Sequence, residues 1–293
     1  MTIESVIDFH AELGECPVWA GPDRGLFWID IDGRAVHRYH PWTGTNETRR
    51  LDVRPGSFAL TADPDRLLVA AEHQLLDMTW STGEVSVRSD LEPDGEDGRM
   101  NDGRCDPAGR FWVGSMDLPS SSGRRGGMLH RVEPDGSTEV VFSGIVVANG
   151  LAFSPDGTVM YRADTGRELV WAYDYDVDTG TPANERVFLD FADLPGKPDG
   201  ACVDETGCYW IACVYGWTLL RVTPAGEIDR RIELPIERPT MPAFGGPDLD
   251  LIYVTSLSRS GSVPMAPNQP EAGGLFVVDP GGVKGLPEPV FGG

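Results

Sequence analysis

Four polar residues, each at the start of a short apolar segment, are the first feature of this sequence that could support chemistry. They are Glu15, Asn101, Asn149 and Asp199, in the phrases GECPVW, MNDGRCDPAG, ANGLAFSPDG and PDGACVDETG. Carboxylate and amide oxygens without histidine are the ligands that hard divalent cations prefer. Calcium is the first expectation for such a site, with zinc, manganese and magnesium as alternatives.

A simpler interpretation exists for the same side chains, because Asn and Asp before Gly commonly cap turns or strand ends. It would suffice for a single Asn-Gly pair. Here the four polar residues occupy one position of a repeat, six or seven residues before a turn, while Phe58 and Met241 occupy it in the other two units. This pattern favours a shared site over four separate caps.

Other catalytic motifs are missing from the sequence. None of the five histidines occupies the repeat position, so a histidine-rich zinc site is not expected. The chain has no G-x-S-x-G nucleophile motif, no EF-hand loop and no P-loop. A serine triad and a nucleotide-binding loop are therefore not supported.

The repeat that must position these residues consists of a turn followed by an apolar strand. Each strand has an aromatic residue or a leucine near its start, and these markers recur at intervals of 41 to 49 residues. The markers are Phe27, Leu68, Trp112, Tyr161, Trp210 and Tyr253. Pro, Asp and Gly in the preceding turns suit tight connections between strands.

Six units of three or four short strands predict an all-β fold, a six-bladed β-propeller that comprises residues 1–293 as one domain. A β-sandwich would not explain six matched units. Equivalent positions of successive blades surround the axis of a propeller, so we expect the four polar side chains to meet at one mouth of the channel. We also expect the first apolar stretch, residues 3–9, or the last, residues 287–291, to pair into a blade from the opposite chain end.

The composition narrows the class of partner. The formal charge of −22 argues against nucleic acid and anionic membranes as partners.

The N-terminus lacks the pattern of a signal peptide, and no apolar run is long enough to span a membrane. The odd number of cysteines, without C-x-x-C, predicts reduced thiols in a cytoplasmic protein. A monomer or a weak homodimer is expected.

Several phrases in order resemble the SMP-30/gluconolactonase/regucalcin family across essentially the whole chain. They are LGECPVW at 13–19, GRMNDGRCDPAGRFWVGSM at 98–116, ANGLAFSPDG at 148–157, AYDYDVDTG at 172–180, KPDGACVD at 197–204, FGGPDLDLIYVT at 244–255 and QPEAGGLF at 269–276. The resemblance implies a six-bladed propeller that holds one divalent metal at the channel mouth.

The resemblance also implies roles for individual residues. Glu15, Asn149 and Asp199 would be the metal ligands, and Asp199 the catalytic base. Arg99 and Asn101 would contact the substrate, although a surface ion pair of Arg99 with Glu96 or Asp97 is an alternative. Family members of the animal type carry a glutamate shortly after G-x-M, where this chain reads GSMDLPSSSGRRGG with only Asp117 nearby. Asp117 is therefore the candidate substrate contact in that loop.

The function expected from the residues and the resemblance is a metal-dependent lactonase that opens a sugar lactone, an aldonolactone, to the free acid. The metal would act as a Lewis acid on the lactone carbonyl, and Asp199 would take a proton from the attacking water. Two alternatives remain: a phosphotriesterase-like hydrolase on the same propeller, and a calcium-binding protein without enzymatic activity.

Overall fold

The computed structural model describes residues 3–92, 98–118, 122–258 and 267–292, and these form six antiparallel sheets of four strands. Blade 1 contains β2 (Gly14–Trp19), β3 (Leu26–Asp30), β4 (Ala35–His40) and β5 (Thr45–Arg50). Blade 2 contains β6 (Pro55–Leu60), β7 (Arg66–Ala71), β8 (Gln74–Thr79) and β9 (Val85–Asp90). Blade 3 contains β10 (Gly98–Cys105), β11 (Phe111–Asp117), β12 (Gly127–Val132) and β13 (Thr138–Ile145).

The second half of the chain repeats this arrangement. Blade 4 contains β14 (Ala148–Phe153), β15 (Val159–Asp164), β16 (Leu169–Asp176) and β17 (Thr181–Asp190). Blade 5 contains β18 (Lys197–Val203), β19 (Tyr209–Val214), β20 (Thr218–Val222) and β21 (Ile228–Glu233). Blade 6 contains β22 (Pro239–Gly245), β23 (Leu251–Ser256), β24 (Phe276–Val278) and β1 (Ile3–Ser5). The six-bladed propeller is confirmed, and the described residues contain no α-helix.

Burial falls from the first strand of a blade to the last. The first strands β2, β6 and β14 are buried at every residue, whereas the last strands, such as β5 and β9, are mostly exposed or half-buried. All six marker residues lie in the second strand of their blade and are at most 3% exposed. They pack between blades: the ring of Phe27, for example, contacts Phe58 and Trp80 of blade 2 at centroid distances of 6.3 and 5.0 Å.

A repeated aspartate ties the turn to the marker tryptophan in two blades. Asp106 accepts hydrogen bonds from the backbone of Ala108 and Arg110 and from Trp112 Nε1. Asp204 does the same for Thr206, Cys208 and Trp210 Nε1. The turn and the strand that follows it are thus specified by one carboxylate.

Both chain ends are held by distant parts of the chain. Strand β1 is the outer strand of blade 6, where Ile3 pairs with Val278 and Ser5 with Phe276. The prediction that a terminal segment pairs into a blade from the opposite chain end is therefore confirmed. At the other end, Phe291 N donates to Leu60 O of blade 2 at 2.8 Å.

The described part of the chain contains no apolar helix of membrane-spanning length. All five cysteines are buried and none forms a disulfide.

Candidate functional site

The four polar residues predicted to meet at one mouth of the channel, called the ring residues below, lie near the beginnings of the first strands of blades 1, 3, 4 and 5. Glu15, Asn101, Asn149 and Asp199 are between 5% and 9% exposed. In each of these strands the pairing register shifts within three residues of the polar side chain. Such β-bulges interrupt the regular pleat, and the first strands of blades 2 and 6 contain them as well.

Glycine follows the polar residue because the neighbouring blade is close. Gly150 has a φ of +61°, and a Cβ atom there would lie 2.5 Å from the Tyr209 hydroxyl of blade 5. A Cβ at Gly200 would lie 2.5 Å from Met241 Cβ of blade 6. The repeated polar-glycine phrase thus combines a candidate site residue with a close contact between two blades.

Hydrogen bonds join the predicted substrate and metal residues across blades 3 and 4. Arg99 Nη1 donates to Asn101 Oδ1 at 2.6 Å. Asn101 Nδ2 donates to Asn149 Oδ1 at 3.1 Å and to Ala148 O at 2.8 Å. The structure therefore brings Arg99, Asn101 and Asn149 into one continuous network.

Arg99 is 6% exposed, and its Nη1 also donates to Met100 O. The proposed alternative partners, Glu96 and Asp97, lie outside the described residues. Nε and Nη2 of Arg99 have no hydrogen-bond partner among the described residues. These two nitrogens are available for a ligand at the mouth.

The carboxylates of the site repel one another and have few partners. Burial and the nearby Asp102 raise the pKa of Glu15 from 4.5 to about 8. Burial, Glu15 and Asp102 raise the pKa of Asp199 well above its ordinary value. Glu15 accepts one hydrogen bond among the described residues, from Cys16 N at 3.3 Å. Such a site favours a bound cation, which would compensate the two charges.

The donor set fits a cation that takes oxygen ligands. Two carboxylates and the amide oxygen of Asn149 are the predicted ligands, and none is a nitrogen or sulfur donor. The described residues include no group of three or more histidine, cysteine, aspartate or glutamate side chains placed to hold a metal. A cation here would therefore depend on Asn149 as well as on the two carboxylates.

Asp117 lies beside Arg99 on the adjacent strand, since it pairs with Gly98. Its carboxylate accepts a hydrogen bond from Gly126 N at 2.9 Å and lies 3.8 Å from Arg124 Nε. It therefore stabilises the connection between β11 and β12 at the mouth. Its substrate contact stays a prediction.

Two residues at the mouth, Thr165 and Asp102, were not among the site residues predicted from the sequence. Thr165 accepts a hydrogen bond from Asn149 Nδ2 at 2.7 Å and donates to Pro198 O of blade 5. Asp102, beneath the ring, accepts from Leu151 N, while its Oδ1 is buried without a partner among the described residues. Burial raises the pKa of Asp102 to about 6.

Aspartates that end the second strand hold the segments leading into the site. Asp30 accepts from the backbone of Glu12, Leu13 and Gly33. Asp164 accepts from Val146, Val147 and Gly166. The two aspartates lie three residues after their markers, so an alignment of the repeat units could have identified them.

The opposite end of the channel contains a cavity of about 340 Å³. Trp19, Phe244 and the C-terminal residues 286–289 line it, together with the ion pair of Arg104 with Glu288 at 2.9 Å. None of the predicted site residues lines this cavity. The candidate site is therefore at the other mouth, where the first strands begin.

The chain is similar to known proteins over nearly its whole length. Residues 13–258 match the family model described as the SMP-30/gluconolactonase/LRE-like region. The chain is 38% identical to 6-deoxy-6-sulfogluconolactonase of Pseudomonas putida, with 100% of this chain and 99% of the relative covered. It is 33% identical to regucalcin of Xenopus laevis, with 99% and 98% covered.

Among solved structures, a calcium-binding protein, regucalcin from Agrobacterium tumefaciens, superposes with a TM-score of 0.90 at 30% identity. The match covers 98% of this chain and 96% of that protein. The fold therefore matches that of a solved protein of nearly equal extent.

Proposed function

Since the chain belongs to the SMP-30/gluconolactonase/LRE-like family, we propose that it hydrolyses the ring ester of an aldonolactone to the free aldonate. The name of the Pseudomonas putida relative, a lactonase that the chain matches over its full length, supports a sugar lactone as substrate. The observation that carries the proposal is the ring of Glu15, Asn149 and Asp199 beside the unengaged donors of Arg99, which Asn101 holds in place.

Glu15, Asn149 and Asp199 would hold one divalent cation, and calcium is the first candidate. The description of the Agrobacterium tumefaciens regucalcin as a calcium-binding protein supports this choice. When bound, the cation would polarise the lactone carbonyl as a Lewis acid and keep both carboxylates ionised.

Asp199 is the proposed general base. Its carboxylate takes a proton as water oxygen bonds to the lactone carbonyl carbon. It returns the proton to the ring oxygen as the ester C–O bond breaks, which leaves a free hydroxyl and a carboxylic acid. The acid then releases its remaining proton to solvent and becomes the aldonate. The buried position of Asp199, at 6% exposure, limits competing contact with bulk water.

Arg99 and Asn101 are the proposed substrate contacts. Asn101 Oδ1 is already engaged by Arg99, and Asn101 Nδ2 by Asn149 and Ala148. Asn101 therefore fixes Arg99, whose Nε and Nη2 can donate to sugar hydroxyls or to the carboxylate of the product.

The test is acid release from a panel of aldonolactones, with a phosphotriester as the competing substrate. Each assay is run with added calcium, with a chelator, and with manganese, magnesium or zinc restored after chelation. We expect hydrolysis of at least one aldonolactone, abolished by the chelator and by Glu15→Ala. Turnover of the phosphotriester alone would support the phosphotriesterase-like alternative. Calcium binding by folded protein without any turnover would support a non-enzymatic calcium-binding protein.

Cytoplasmic location and a monomeric or weakly dimeric state stay predictions. Size-exclusion chromatography with light scattering would test the second.

A further inference from the structure

The C-terminal segment crosses the end of the channel that lies opposite the candidate site. Gly285 N donates to Leu249 O, in the β22–β23 turn of blade 6, at 2.8 Å. Phe291 N donates to Leu60 O of blade 2, also at 2.8 Å. Residues 286–290 therefore span the channel end from blade 6 to blade 2, and they are called the strap below.

An ion pair holds the middle of the strap against an inner strand. Arg104 of β10 donates from Nη1 to Glu288 Oε2 at 2.9 Å and from Nη2 to Ala201 O of blade 5 at 3.1 Å. The Arg104 side chain is 11% exposed and that of Glu288 is 17% exposed. A guanidinium has five N–H groups, and the described residues accept hydrogen bonds from only two of those of Arg104. The side chain therefore retains donors for a ligand.

The cavity of about 340 Å³ beside this ion pair is mainly apolar. Arg104 and Glu288 are the only charged side chains among the described residues that line it, and their charges cancel. The apolar wall includes the rings of Trp19, Phe153 and Phe244. The cavity thus combines an apolar surface with one group of hydrogen-bond donors, which is the usual composition of a small-molecule site.

We propose that this cavity binds an uncharged, largely apolar molecule of one or two rings that carries a carbonyl or hydroxyl oxygen. A cavity of about 150 Å³ can hold benzene, so a volume of about 340 Å³ suits a molecule of roughly ten to fifteen non-hydrogen atoms. The apolar wall favours rings, and the remaining N–H groups of Arg104 favour an oxygen that accepts a hydrogen bond. A charged group would lose its hydration beside an ion pair that offers no net opposite charge, which costs free energy.

Four molecules built on one two-ring skeleton test this chemistry. 1-Tetralone carries the carbonyl oxygen, tetralin lacks it, tetralin-1-carboxylate is an anion and 1-aminotetralin is a cation. Calorimetry with the folded, full-length protein measures each dissociation constant. We expect 1-tetralone to bind at least about tenfold more tightly than the other three, because a hydrogen bond from a charged donor contributes this much. No binding of 1-tetralone, or equal or tighter binding of one of the other three, would overturn the proposal.

The reactivity of the thiols locates the bound molecule. Cys105 and Cys202 line the cavity, whereas Cys208 and Cys213 do not, and all four are buried without a disulfide. Mass spectrometry follows the modification of each thiol by N-ethylmaleimide. 1-Tetralone at about ten times its dissociation constant should slow the modification of Cys105 and Cys202 about tenfold and leave the other two rates unchanged. Equal slowing of all four thiols, or no slowing at Cys105 and Cys202, would also overturn the proposal.

Removing the ion pair tests the role of Arg104. The double variant Arg104→Met/Glu288→Leu leaves no buried charge unpaired and keeps the cavity apolar. It should bind 1-tetralone only as tightly as tetralin, while its affinity for tetralin stays within about twofold of that of the parent. The same changes at the exposed pair of Arg186 with Asp174 in blade 4 are the control and should alter neither affinity.

An unchanged preference for 1-tetralone in the folded double variant would contradict the hydrogen bond from Arg104. If the double variant does not unfold cooperatively in urea, the thiol protection in the parent protein decides instead. None of these measurements depends on the proposed lactonase function, because none of the ring residues lines the cavity.

Discussion

Asn149 donates a hydrogen bond from its side-chain Nδ2 to the hydroxyl of Thr165 over 2.7 Å. This contact fixes which end of the amide, oxygen or nitrogen, is directed toward the site. The single hydroxyl proton of Thr165 is donated to Pro198 O, so its oxygen can only accept from Asn149. The amide oxygen of Asn149 is therefore held on the side of Asn101, where the predicted ligands lie. Thr165 would therefore position Asn149, the proposed neutral ligand.

Replacing Thr165 with valine should weaken cation binding about 10- to 100-fold, because partners of ligating side chains contribute this much to metal affinity. Calorimetric titration of chelator-treated protein with calcium measures the effect without any assay of activity. Thr165→Ser, which keeps the hydroxyl, is the control and should bind as the parent does. Equal affinity of the valine variant would show that another contact orients Asn149.

The cation-free protein should lose stability as the pH rises from about 5 to about 8. The pKa of Glu15 is raised to about 8 in the folded state from 4.5, so the folded state binds protons more tightly than the unfolded chain. The free energy of unfolding therefore falls with increasing pH through this window. Asp102, with a pKa raised to about 6, contributes in the same direction.

Urea unfolding in the presence of a chelator, from pH 5 to pH 8, measures this dependence. Glu15→Gln should reduce the slope, since the variant lacks the titrating group. Saturating calcium should also reduce it, because a cation stabilises the ionised carboxylates. A slope that is the same in the parent and in Glu15→Gln would show that Glu15 is not the titrating group.

Asp199→Asn separates the two proposed roles of Asp199. Asparagine keeps one ligand oxygen and nearly the same shape but cannot accept the proton from water. We expect turnover to stay about 10²- to 10⁴-fold below the parent even at saturating cation, which is the usual contribution of a general base. Affinity for calcium is measured separately, so that an empty site is not mistaken for lost catalysis.

Glu15→Gln is the matched control, since it makes the same change at a ligand with no proposed proton transfer. Its activity should recover largely when the cation is saturating. Turnover of Asp199→Asn within about tenfold of the parent under the same conditions would place the base elsewhere.

Deleting residues 1–9 should destabilise the whole propeller. The deletion removes β1 from β24 and leaves that edge unpaired. It also removes Phe9, whose ring contacts Trp28 and His37 at centroid distances of 5.6 and 4.8 Å. We expect a loss of about 3 kcal/mol or more, measured by urea unfolding, as for the removal of a large packed aromatic residue. Removal of residues 1–2 alone is the control. An unchanged free energy of unfolding after the longer deletion would contradict the role of β1 in completing blade 6.

The repeat in the sequence determined the number of blades and the height of the ring residues. Phe27, Trp112 and Trp210 recur because each blade must fill the same gap against its neighbour, so their spacing gives the blade length. Glu15, Asn149 and Asp199 could be identified because one repeat position faces one level of the channel in every blade. These features depend on local sequence, which is why they could be predicted.

The contacts between the ring residues were decided only by the tertiary structure. Thr165 has no signal in the sequence, because its role arises where blade 4 packs against Pro198 of blade 5. Likewise, the bond of Asp117 to Gly126 depends on where Gly126 lies relative to the end of β11. A repeat specifies which strand a residue occupies and its level along the axis. The partner of each polar side chain depends on the register shift within its own strand and on the neighbouring blade, and both are set by packing.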